Sequence, residues 1–75
     1  MKSEQTSDEL KKLAAIAADL GHLVDLRTKA TELLGNIGTH EALLALLELA
    51  GNDKLPVEER DLALKKAREI IKAGH

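Results

Sequence analysis

The residues best suited to hold a divalent metal or pass a proton near neutral pH are three histidines, His22, His40 and His75. They stand 18 and 35 residues apart, so no two share a helical turn, as a two-histidine metal face requires. Placed at helix starts and at the chain end, they are expected at the surface. The chain has no Cys, which excludes thiolate zinc sites, cysteine nucleophiles and disulfides. Its two serines, Ser3 and Ser7, lie in a polar N-terminal segment with no rigid pocket to orient a base beside them. Carboxylates number 13, but general acid–base work needs one whose pKa is raised by burial or a close like charge. Pairs such as Glu41 and Glu48 fall instead on a wet helix face. Gly35-x-x-Gly38 lacks the preceding strand, the further glycines and the Lys-Ser or Lys-Thr of a phosphate loop, and reads as a helix stop. The sequence therefore predicts no catalytic residue, no cofactor, no metal and no small-molecule substrate.

Charge and hydropathy narrow the partners. Eleven basic against 13 acidic side chains leave a net charge of -2, whereas binding to phosphate backbones draws most of its affinity from an excess of Lys and Arg. Nucleic acid is not an expected partner. The spacing of Ile16, Ala17 and Gly21 does suggest a DNA-reading helix-turn-helix. His22 then stands where such motifs have an apolar residue, and Arg27 where the second helix buries Val or Ile, so DNA binding remains a minor alternative. The longest apolar run, Ala42 to Leu47, is too short to span a bilayer, and no helix pairs a strong apolar face with an exclusively basic one. With a polar Met1–Ser7 segment, no apolar leader and no Cys, a soluble cytoplasmic protein without membrane contact is expected.

The elements that must position these residues are helical. At 75 residues there is material for one core. The chain has no aromatic residue, so burial rests on Leu, Ile, Val and Ala. Residues 1–6 are expected as a flexible tail, followed by four helices at about 7–20, 23–36, 40–50 and 56–73. The first is marked by a Thr6–Glu9 capping box, a stripe of Leu10, Leu13, Ile16, Ala17 and Leu20, and Gly21 as a left-handed end. In the second, Leu23, Leu26, Ala30, Leu33, Leu34 and Ile37 form the expected buried face. Asp25, Thr28, Thr31 and Glu32 form the wet one, and Gly38 closes it. Thr39 caps the third helix, which is apolar nearly all round and is expected to be the most buried. Only Glu41 and Glu48 mark its wet line, and Leu44, ~60° from that line, is its best candidate for an exposed leucine. Gly51–Asp53 make the clearest loop, and Pro56 opens the fourth helix. That helix should bury Val57, Ala63, Leu64, Ala67, Ile70 and Ile71 with Leu62 to one side. Its early Glu58, Glu59 and Asp61 and late Lys65, Lys66, Arg68 and Lys72 should be solvated and complement the helix dipole.

Two internal echoes are present. Lys12–Gly21 and Lys29–Gly38 align at an offset of 17, and Arg27-x-x-Ala30 aligns with Arg60-x-x-Ala63 at an offset of 33. Periods in the thirties are typical of stacked helical hairpins. The stretch LRTKATELLGNIGTHEALLALLEL, Leu26 to Leu49, resembles HEAT-like (HEAT/armadillo-type) helical repeats through Arg27, Ala30, Leu34, Gly35, Ile37, Gly38, Glu41, Ala42 and Leu43, and the likeness continues loosely to Ile71. The resemblance implies an all-α fold of four antiparallel helices arranged as two stacked hairpins. The same caps and stripes also suit a compact four-helix bundle, and two hairpins are fewer than repeat stacks usually contain.

The expected function is that of a non-catalytic interaction module. It would bind another protein or its own copy through an exposed helical face, with Leu44 and Leu62 as anchors or Arg27, Thr28 and Thr31 as polar contacts. An engineered or minimal scaffold without a biological partner is the alternative, suggested by near-ideal caps and the lack of aromatic residues. Circular dichroism in dilute buffer checks the common premise: the spectrum should be mainly helical, and a sheet or coil spectrum would contradict it.

Overall fold

The computed structural model describes residues 2–74, with side chains from residue 8 onward. Four helices follow one another, α1 (Lys2–Ala18), α2 (Val24–Ile37), α3 (His40–Ala50) and α4 (Val57–Lys72), with no strand among the described residues. Helical backbone begins at Lys2, so residues 2–6, expected as a tail, continue α1. Lys, Glu and Gln, good helix formers, supply much of that segment. Because the helix already runs through residue 6, Thr6 is not the N-cap that the expected Thr6–Glu9 capping box requires; the side chains of Ser3 and Ser7, and all of His75, lie outside the described part of the chain.

Connections show how local chemistry ends each helix. α1 stops at Ala18, two residues before the expected Leu20, because Asp19 builds the turn: its Oδ1 accepts from Gly21 N at 2.8 Å. Gly21 is therefore not left-handed, and Leu20 is exposed rather than part of the buried stripe. Gly38 does adopt the left-handed region, at φ 68°, and donates its N–H to Leu34 O. Thr39 Oγ1 accepts from Ala42 N at 3.1 Å and caps α3. Pro56, extended at ψ 151°, is the N-cap of α4 rather than its first helical residue.

The core is made of Leu10, Ala17, Ala30, Leu34, Ala42, Leu43, Leu46, Leu49, Leu55, Ala63, Ala67 and Ile70, with Leu13, Ile16 and Ile37 packed on it. Two helices bury a face different from the expected one. α2 turns Arg27, Ala30, Thr31 and Leu34 inward, while Leu23, Leu26 and Leu33 lie exposed, Leu23 at 80%. α4 buries Glu59, Ala63, Ala67 and Ile70, leaving Val57, Leu64 and Ile71 on the outside. Arg27 and Glu59 meet between the two helices, and these charges are buried because they pair with one another. α3, expected to be the most buried helix, leaves Leu44 and Leu47 open.

α1 packs on α2, and α3 on α4, as two hairpins. The hairpins meet through α1 with α3, α2 with α3 and α2 with α4, while α1 and α4 make no contact among the described residues. An up-and-down bundle would make the first and last helices neighbours, so the arrangement is a stack of hairpins. Contacts from Arg27 to Glu59 and from Gly35 to Lys66 run α2 and α4 side by side in the same direction. A Cβ on Gly35 would stand 3.0–3.3 Å from the aliphatic stem of Lys66, so this glycine lies within α2 as a site of close approach and does not stop the helix.

The 33-residue echo is a geometric equivalence. Asp19 and Asn52 each accept through a side-chain oxygen from the backbone N two residues on, at 2.8 and 3.0 Å. His22 N donates to Asp19 O, and Leu55 N to Asn52 O, both at 3.0 Å. Leu23 and Pro56 cap the next helix with ψ of 148° and 151°. Arg27 and Arg60 each donate back to the carbonyl five residues earlier, that of His22 and of Leu55. The 17-residue echo has no such counterpart, since Gly21 sits in a loop and Gly38 caps a helix. Replacing Gly38 with Ala forces a side chain into the left-handed region and should cost about 1 kcal/mol, roughly 4–8 °C in melting temperature. Gly21→Ala, which meets only the movable Asp19 carboxylate, should cost clearly less by thermal unfolding.

Candidate functional site

The polar centre of the molecule lies between the hairpins. Arg27, in the first turn of α2, and Glu59, in the first turn of α4, are 8% and 7% exposed. The guanidinium grips the carboxylate with two parallel bonds, Nε to Oε1 at 2.7 Å and Nη2 to Oε2 at 2.8 Å, while Nη1 donates to His22 O. Such a fork suits a planar cation and a carboxylate. Hydrogen bonding to Arg27 holds the Glu59 carboxyl below its ordinary range, and the same bond raises the Arg27 guanidinium above its own. Thr31 Oγ1 donates to Arg27 O at 3.0 Å, one helical turn back. Among the described residues no buried side-chain nitrogen or oxygen lacks a partner.

This corrects the expected site. Arg27 and Thr31 were expected as surface contacts, yet both are interior, Thr31 at 4% exposure. Thr28 and Leu62 are half-buried, and Leu44 is exposed at 50%. The structure therefore does not bring the five candidates together. Arg27 and Thr31 belong to the seam between hairpins, whereas Leu44 belongs to the outer side of α3. Glu59, expected to be solvated with its acidic neighbours, is instead the buried partner of Arg27. Its signal lies in Ala63 and Ala67, four and eight residues on, which put it on the small-residue side of α4.

The outer side of the second hairpin follows from the 33-residue equivalence. On the first hairpin, Ala14 and Ala18 face α3, and Arg27, Thr31 and Gly35 face α4. The corresponding residues of the second hairpin are Leu47, Gly51, Arg60, Leu64 and Arg68. Leu47 and Leu64 are exposed. Arg60 donates Nε to Leu55 O at 3.1 Å, and neither Arg60 nor Arg68 has a carboxylate within salt-bridge range among the described residues.

Elsewhere the chemistry is sparse. His22 Nε2 lies 3.6 Å from Asp19 Oδ2 across an exposed turn, His40 is exposed, and no group of three His, Asp or Glu gathers among the described residues. An open hollow of about 260 Å³ between α1 and α3 is lined by Ala14, Ala18, Ala45, Glu48, Leu49 and Asn52. No helix among the described residues is long and apolar enough to cross a membrane. No protein family, curated protein or solved structure matches the chain.

The buried pair gives a signed prediction. Because the folded Glu59 titrates below its ordinary value of 4.5, its stabilisation is fully present above that pH and is lost as the pH falls through the lowered folded value. Glu59→Gln should therefore melt lower than the parent at pH 7, and the gap should close in acid. Arg27→Ala, which strands the carboxylate without its counter-charge, should lower the melting temperature by at least about 10 °C at neutral pH. Thermal unfolding followed by circular dichroism across pH checks both.

Proposed function

We propose that the chain is a non-catalytic helical interaction module of HEAT-like build, acting in the cytoplasm and binding another protein, or its own copy, through the outer face of its second hairpin. The observation that carries this is the open apolar surface of α3 and α4, where Leu44 and Leu47 stand exposed on one helix and Leu64 on the other. A soluble chain of this size covers its leucines where it can, and an apolar patch left open on a rigid helical face is the usual mark of a docking surface. The HEAT-like part of the proposal draws support from the hairpin stack and the 33-residue recurrence of the loop geometry. Leu44 and Leu47 are the anchors, and Leu62, half-buried, contributes at the edge.

The same regularity favours a second reading, that of an engineered or minimal scaffold without a biological partner. The two readings part in one experiment. In Leu44→Glu and Leu47→Glu variants, helicity and melting temperature should stay within the range of surface substitutions, about 0.5 kcal/mol. Self-association or capture of a specific partner should be lost, as read by sedimentation and by pull-down against the parent chain. A large loss of stability with unchanged association would show that these leucines serve the core and would remove the interaction reading.

A further inference from the structure

Resting on that interaction reading, we infer that the outer face of the second hairpin is a seat for a partner helix carrying two carboxylates seven residues apart, with small residues four and eight places after the first. The template is the seam inside the molecule. There α4 lies on the first hairpin with Glu59 on Arg27, Ala63 and Ala67 in the tight contact, and the Lys66 stem over Gly35. The second hairpin repeats the receiving side 33 residues on. Arg60 takes the place of Arg27 and also donates to the carbonyl five residues back, through Nε where Arg27 uses Nη1. Leu64 takes the place of Thr31, and Arg68 that of Gly35.

Two differences set the chemistry of the occupant. Among the described residues Arg60 has no carboxylate in salt-bridge range and commits Nε to Leu55 O, so a helix laid across it in the same register meets the guanidinium with its first-turn residue, and a carboxylate there pairs with the two terminal nitrogens. Arg68, where the first hairpin has a glycine, adds a second unpaired cation under the position that Lys66 occupies in the internal seam. A lysine there would be repelled, and a carboxylate would pair. Leu64, exposed on α4, supplies the apolar floor.

A second copy of this chain does not fit that register. The residues of the first hairpin equivalent to Glu59 and Lys66 are Leu26 and Leu33, both exposed. Stacking one copy on another would bring leucines to both arginines. The occupant is a different, acidic helix.

The test uses the full chain and a synthetic helical peptide with the sequence of residues 56–73 carrying Lys66→Glu, followed by backbone amide NMR at millimolar peptide. Shifts should gather on Arg60, Leu64 and Arg68. Binding should weaken about tenfold when the peptide carries Glu59→Gln and Lys66→Gln instead, and by a similar factor when the chain carries Arg60→Gln, which keeps a donor for Leu55 O. Equal binding by the acidic and amide peptides would overturn the carboxylate seat while leaving an apolar docking face. Absence of shifts with every peptide would overturn both the seat and the interaction reading of this face. Shifts centred on Arg27 would mean that the peptide replaces α4, and concentration-dependent self-association abolished by Arg60→Gln would make a second copy the occupant. Either result overturns the inference.

Discussion

A buried charge must be paired, and in this molecule that requirement orients the helices. Arg27 and Glu59 come from separate hairpins and are both nearly inaccessible to water. Their fork can close only if the first turns of α2 and α4 meet, and with the Gly35–Lys66 contact further along it holds the two helices side by side in the same direction. Leaving either group alone in that setting would cost several times what a surface charge costs. The pair therefore acts chiefly as a register device: apolar contact between α2 and α4 could slide by a turn at modest expense, whereas the fork could not.

Packing around the pair follows from the lack of aromatic side chains. With Leu, Ile and Ala as the main filling, close approach has to replace bulk. Ala30, Ala42, Ala63 and Ala67 are buried at helix contacts, and Gly35 lets the stem of Lys66 lie against the backbone of α2. Small residues at a helix crossing shorten the distance between axes, so dispersion contacts are made by backbone as well as side chains. The remaining leucines then exceed the area the seam can cover, and Leu44, Leu47 and Leu64 are left on the outside.

Much of the fold was legible in the chain because it is written locally. Thr39, Gly38 and the Gly51–Pro56 segment mark helix ends through short-range hydrogen bonds and backbone preferences, and apolar spacing marks the helices between them. Leu44 could be placed from its angle to Glu41 and Glu48 alone. The orientation of α2 and α4 was not legible in the same way. α2 carries two competing stripes, one richer in leucine through Leu23, Leu26 and Leu33, and one through Arg27, Ala30, Thr31 and Leu34. Counting apolar residues selects the first. The second wins because a carboxylate 32 residues away satisfies Arg27, a condition that no window of helical length contains. The ending of α1 was misjudged for a related reason, since the Asp19 side chain does the work assigned to Gly21.

The hairpin order has a consequence for how quickly the chain finds its shape. Each helix meets the next in sequence or the one after, and among the described residues no contact joins the first helix to the last. Little loop entropy has to be lost before a contact forms, and topologies of this kind reach the native state in microseconds to milliseconds. Each hairpin carries its own turn with Asx and arginine bonds of the same kind, and Arg27 and Glu59, one from each hairpin, are shielded from water where the hairpins meet. Docking of the two hairpins therefore carries with it the dehydration of one ion pair.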